Sequence, residues 1–372
     1  MNKEIMKNQV KKIIILAAFG LVVMALSACS TNTNNLLGAA GQPTETPTLQ
    51  PLPETSPEPT LPPIPETYGH IIFVSDRDGD ENLYITSPDG LEQTRLTEIA
   101  AENPRISPDG TRVAFVSSVS GNMDIYVLEI ASLNLVRVTD APEKDASPSW
   151  SPDGTRLAFE SFRDGNFEIY MVNADGTNPT RLTNDPAGDS SPIWSPVANE
   201  IAFVSNRFGN ADIFLLTPNG SVSTLTTNSA PDSAPAWSPD GSRIAYQTFS
   251  GELSNICLIN RDALGQVCIT NSFSDYGAPV WSPNGSFLAV NAKQNVGYGI
   301  NIFNLQDGTM LQLSSPNIDP RGDPRWSPEG MRLVLQAQAD GNMDLFTVLV
   351  SANEFTRLTT NGYDGEPAWS AQ

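Results

Sequence analysis

From residue 70 to the C-terminus, apolar residues fall in short runs such as "IIFVS", "RVAFVS", "RLAFES" and "FEIYMVN", and each run is bounded by Gly, Pro, Asp, Asn or Ser. Runs of this length, rich in Val, Ile, Phe and Tyr and punctuated by turn residues, predict short β-strands. The pattern also repeats. Aligned on the residue before Ser-Pro, it gives Ile106, Trp150, Trp194, Trp237, Trp281 and Trp326, with Trp369 before the final Ser-Ala; successive anchors lie 43 to 45 residues apart, and all six tryptophans occupy this one position. Each unit reads as an inner "PxWS" strand, an apolar second strand, a third strand like "FEIYMVN" and a short outer "TRLT". Four strands at a period near 44 predict a β-propeller and not a helical solenoid.

The segment from His70 opens on a second strand, and "PAWSAQ" is an inner strand with nothing after it. Together they complete one blade, which predicts an all-β, seven-bladed propeller of four-stranded antiparallel blades, closed by Trp369 pairing beside Ile71 to Ser75. The Ser-Pro-Asp-Gly step that follows Ile106, Trp150 and Trp237 is a turn: Pro presets φ, Asp bonds its own backbone and Gly accepts positive φ. The stretch "WSPDGTRLAFESFRDGNFEIYMVNADGTNPTRLT" resembles the WD-like repeat of TolB-like β-propellers, also seen in the propellers of prolyl-oligopeptidase-type peptidases. The resemblance covers residues 69 to 372 and implies the fold; its motif residues are those that build blades. TolB proteins carry an α/β domain ahead of the propeller, where this chain has a Pro-rich segment.

Residues 1–28 carry Lys3, Lys7, Lys11 and Lys12, then a sixteen-residue apolar stretch and small residues before Cys29. This predicts a signal peptide, too short to span a membrane comfortably. The "LSAC" end resembles the lipobox of bacterial lipoproteins, which implies cleavage before Cys29 and its lipidation; the alternative is an ordinary signal peptide with an incidental Cys. Residues 29–67 would then be the lipidated Cys and a Pro/Thr-rich disordered linker, and 68–372 the propeller. Cys257 and Cys268 replace both members of a pair found elsewhere as Tyr84/Arg95, Tyr126/Arg137, Tyr170/Arg181 and Phe346/Arg357, always eleven residues apart on the third and outer strands. They read as cross-strand neighbours. In an exported protein that predicts a disulfide staple, with two free buried thiols as the alternative.

A catalytic relay finds little support. His70 is the one histidine of the chain, which excludes a His-based nucleophile relay or a multi-histidine metal site, and no Gly-x-Ser-x-Gly elbow occurs. "SDRDGDEN" places Asp76, Asp78 and Asp80 like a calcium loop, but its Gly stands fourth instead of sixth, and a hairpin turn is expected. Charge is more informative. The precursor stands at −21; without residues 1–28 it keeps 17 basic and 41 acidic side chains, so the mature chain stands at −24. Nucleic acid is a poor partner for such a body.

Part of this charge recurs once per unit, in the loop that enters each inner strand: Glu102, Asp145, Asp189, Asp232, Asp275, Asp319 with Asp323, and Asp364. At the mouth of a propeller channel these carboxylates would form a ring. In one reading each caps its loop or pairs with a turn arginine, Arg77, Arg163 or Arg207; in the other the ring focuses negative potential and receives a protein, a basic peptide or a cation such as Ca2+. No other cofactor is called for. Because strands alternate in direction, the acidic loops share a face opposite the Ser-Pro-Asp-Gly turns, and the tether enters on the side of those turns. The expected protein is therefore a monomeric, non-catalytic binding or scaffolding lipoprotein, anchored to the cell membrane on its extracytoplasmic side. The competing reading is a carbohydrate-active enzyme or glycan-binding propeller using loop carboxylates, with Asp319 and Asp323 the pair to inspect.

Overall fold

The structure, a computed structural model, describes residues 69–270 and 274–370. The leader, Cys29 and the linker lie outside the described residues. Twenty-eight strands form seven four-stranded antiparallel sheets, and no helix occurs among the described residues. Each sheet is one blade, ordered inner, second, third and outer strand. Blade 1 joins the C-terminal strand Asp364–Trp369 to Ile71–Ser75, Asn82–Thr86 and Gln93–Arg95. The inner strands of blades 2 to 7 are Glu102–Ile106, Asp145–Trp150, Asp189–Trp194, Asp232–Trp237, Val280–Trp281 and Asp319–Trp326. Each inner strand touches the next, and that of blade 1 touches those of blades 7 and 2, so the ring is closed.

Closure has the predicted register. Ile71 pairs with Trp369, Ile72 with Ala368 and Ser75 with Asp364, and beyond the strands the Ser370 amide donates to the His70 carbonyl at 2.9 Å.

Second and third strands are buried on both faces because each blade is sandwiched between two others. The buried hydrophobic residues accordingly form seven clusters, each joining neighbouring blades. In four blades a fully buried Phe on the second strand (Phe73, Phe115, Phe159, Phe203) meets an aromatic on the third, with ring centroids 5.6 to 5.8 Å apart. The tryptophans fasten one blade to the last. Trp150, Trp237, Trp281 and Trp326 donate Nε1–H to a carbonyl of the preceding inner strand at 2.8 to 3.1 Å. Arginines of the preceding blade, Arg112, Arg156 and Arg243, lie over Trp150, Trp194 and Trp281 at 5.0 to 5.1 Å, a cation–π contact added to apolar burial.

The Ser-Pro-Asp-Gly turns are built as expected. Ser151 donates to Asp153, which accepts the Thr155 amide, and Gly154 takes φ +66°. These donors hold the Asp153 carboxyl down at about 2. Cys257 and Cys268 are register partners on the third and outer strands of blade 5 and are joined by a disulfide.

Candidate functional site

The carboxylates expected to form one ring divide by register. Asp145, Asp189 and Asp364 pair with the last residue of their second strand, Ser161, Ser205 and Ser75, and Asp232 pairs with Thr248. All four have no more than 0% exposure. Blade 2 is shifted: Glu102 pairs with Val116, so the buried position there belongs to Ala101. In blade 7 Asp319 pairs with Gln338 and Pro320 takes the buried place, while in blade 6 Tyr276 bridges Ala292 and Asp275 stands one residue earlier. A slip of one residue turns a strand side chain to the opposite face. The open ring of carboxylates is thus not formed; of the eight, four are interior and Glu102, Asp275, Asp319 and Asp323 are partly exposed.

Three of the interior acids are ion-paired. Arg163 Nη2 donates to both oxygens of Asp145 at 3.1 and 2.9 Å, its Nε donates to Ser161 Oγ at 2.7 Å, and its guanidinium lies 4.4 Å from the Tyr170 ring. Arg207 repeats this with Asp189, Ser205 and Phe214, and Arg77 with Asp364, Ser75 and Tyr84. Burial pushes the Asp145 and Asp189 carboxyls up, against the pull of the Ser and Arg donors. Asp232 has no arginine; burial raises its carboxyl, and Asn228 Nδ2 donates to it at 2.8 Å.

A second set of interior acids escaped the sequence reading. Asp124, Glu168 and Asp344 lie at or near the start of third strands with no exposure, and they accept from Arg137, Arg181 and Arg357 of the outer strands. The signal was present as the last residue of "GNMD" and "GNFE". Asp212 holds the same position in blade 4, where the outer strand offers Thr224 and no arginine; burial raises Asp212, and the Asp232 charge raises it further.

Side chains at the end of the second strand clasp the next blade. Glu160 accepts the Ser191 amide at 2.8 Å, Gln336 accepts the Glu366 amide at 2.7 Å, Gln247 donates to the Tyr276 carbonyl at 2.6 Å, and Asn291 donates to the Pro320 and Gly322 carbonyls. The clasped backbone is a bulge in which Asn103, Ser147, Ser191, Ala234 and Glu366 hold φ of +49° to +54°. Polar residues interrupting an apolar run, where Val74, Val116 and Val204 stand in other blades, were the available clue.

Asp319 and Asp323 do not face a common cleft. Asp319 accepts from Arg321 at 2.6 Å and from the Tyr298 amide at 2.7 Å, beside a cavity of 690 Å3 at the rim. Asp323 lies in the channel with Arg325 and Arg105, beside cavities of 250 and 620 Å3. The Asp76–Asp80 turn is a hairpin whose groups point apart: Asp76 accepts the Tyr363 amide and Asp78 the Tyr84 hydroxyl. Among the described residues no three His, Cys, Asp or Glu converge as a metal site would require.

A closed ring of seven four-stranded blades, tied by interior ion pairs around a channel lined with arginine on one side, defines a seven-bladed β-propeller. Residues 68–230 and 221–372 match the family model for the TolB beta propeller domain, and the chain belongs to that family. A protein TolB homolog of Chlorobium luteolum is 35% identical over 57 residues, 15% of this chain and 13% of the relative, so the chain matches only a small part of that relative's length. The crystal structure of TolB from Acinetobacter baumannii aligns over 82% of this chain and 68% of its own, with a TM-score of 0.55 and 21% identity. An oligogalacturonate lyase in complex with manganese aligns over 75% and 85%, with a TM-score of 0.64 and 16% identity. These structural likenesses show the fold.

Proposed function

We propose that the chain is an extracytoplasmic binding protein, held to the membrane by lipid at Cys29, whose propeller receives a basic segment of another protein on the face carrying the outer-to-inner loops. The observation that carries this reading is the charge left on that face. Six arginines there, Arg77, Arg137, Arg163, Arg181, Arg207 and Arg357, pair with interior carboxylates, while Asp80, Glu81, Asp140, Glu143 and Glu252 are exposed and make no ion pair among the described residues. Such a surface attracts cationic segments over roughly a Debye length, about 8 to 10 Å. The disulfide accords with an oxidising compartment, and kinship with TolB propellers supports a protein partner. In this reading the propeller assembles and catalyses nothing.

The test uses the mature chain and a variant carrying D80N, E81Q, E143Q and E252Q, each as bait in envelope extracts of the producing cell. The native bait should retain a protein partner at low salt and release it at high salt, and the variant should retain none. Equal retention by both baits rejects the acidic face. Labelled palmitate, incorporated by the native precursor and not by Cys29→Ala, tests the tether separately.

A further inference from the structure

The channel has two unlike sides. In five blades the residue before the inner-strand anchor lines the larger channel cavity: Arg105 in blade 2, Ile193, Ala236 and Val280 in blades 4 to 6, and Arg325 in blade 7. Blades 2 and 7 flank blade 1, where Ala368 holds the same register position, paired with Ile72 as Arg105 is with Ala114 and Arg325 with Val334. The two arginines thus stand on either side of a small residue, opposite an apolar wall. The 250 and 620 Å3 cavities share Arg105, Asp323 and Arg325.

Neither guanidinium is satisfied by the protein. Arg105 Nη1 donates to the Pro104 carbonyl at 3.1 Å and Arg325 Nη1 to the Pro324 carbonyl at 3.2 Å, and neither makes an ion pair among the described residues. The two nearby carboxylates are engaged across blade boundaries: Asp323 accepts the Ala278 amide at 2.9 Å, and Glu366 accepts the Asn103 amide. Burial, and then the charge of Arg325, lowers Arg105 to about 10. Two like charges with free N–H forks in a confined channel favour an anion between them, because a carboxylate matches the planar fork and offsets the repulsion. Asp323 and Glu366 offset part of the positive potential, which favours a monoanion over a phosphate dianion.

We infer that Arg105 and Arg325 form a binding site for the carboxylate of an amphipathic ligand whose apolar body lies against Ile193, Ala236 and Val280. Two sources supply that chemistry: the free C-terminus of a peptide ending in an apolar residue, and an aliphatic acid. The site is independent of the acidic face proposed above.

Calorimetric titration of the mature chain with acetyl-Ala-Ala-Leu as acid and as C-terminal amide, and with octanoate against octanol, tests it. At least one acid should bind and its neutral counterpart should not, and whichever acid binds identifies the source. R105Q and R325Q should each weaken that binding about tenfold or more, as loss of a charge-assisted pair does. A second variant guards against a folding defect. A368D places a carboxylate on the strand between the arginines, so it should melt above the native chain and lose acid binding. Acid and neutral forms binding alike, no binding of either acid, or unchanged binding in R105Q, R325Q or A368D would each overturn the assignment.

Discussion

Asp189 is wholly buried and its arginine partner is 14% exposed, so this ion pair is shielded in a way surface pairs are not. Removing one member of such a pair leaves an uncompensated interior charge, at a cost of about 3–5 kcal/mol. Arg207→Ala should lower the unfolding free energy by that amount in a urea melt, and a loss below about 1 kcal/mol would mean the carboxylate finds other donors. Asp212 and Asp232 have no arginine at all. Their carboxyls are raised in the folded state, so between the ordinary carboxylate range near 4 and the raised values the native chain binds more protons than the unfolded chain. Stability held below pH 4 is therefore lost as pH rises through those values. Asp212→Asn keeps an oxygen for the Thr226 hydroxyl and should flatten this fall, melting above the native chain at pH 7 but not at pH 4. A difference between the two proteins that does not change with pH would count against the mechanism.

At the level of strands, much of the fold was legible because alternating apolar runs and the Trp period both report burial between blades. The start of the inner strand was not. An acidic residue stands near it in every unit, yet Glu102, Asp275 and Asp319 sit one register away from the buried position, and spacing alone does not show where a bulge absorbs a residue. The bulge was hidden for the same reason: its left-handed residues are Asn103, Ser147, Ser191, Ala234 and Glu366, and only Gly322 carries the residue type that signals positive φ. Left-handed φ costs an L-residue roughly 1–2 kcal/mol, of which part is returned as chain entropy when Gly replaces it. Ala234→Gly should therefore stabilise the chain by up to about 1 kcal/mol. In contrast, Glu160→Ala strips the Ser191 amide of its acceptor and should cost about 1–3 kcal/mol. Chemical denaturation of both variants checks the pair, and destabilisation by Ala234→Gly would show that the bulge gains more from its Cβ than it loses in strain.

Ring closure is where these local devices become a property of the whole molecule, because it joins residues almost three hundred positions apart. Trp369 pairs with Ile71, Arg77 holds Asp364 at 2.8 Å, and the Asp76 carboxylate accepts the Tyr363 amide at 2.6 Å. Without the last strand, Ile71–Ser75 would become a sheet edge of five residues that are now buried throughout. An apolar edge with unpaired amides is a template for another chain. A chain ending at residue 360 should melt at lower temperature and less cooperatively than the native protein and associate, as read by calorimetry and size-exclusion chromatography. A chain ending at residue 370 keeps the closing strand and should behave as the native one. If the shorter chain stayed monomeric and melted in one transition near the native temperature, the seven inter-blade clusters would suffice to hold the ring, and the closing strand would serve only to cover the edge.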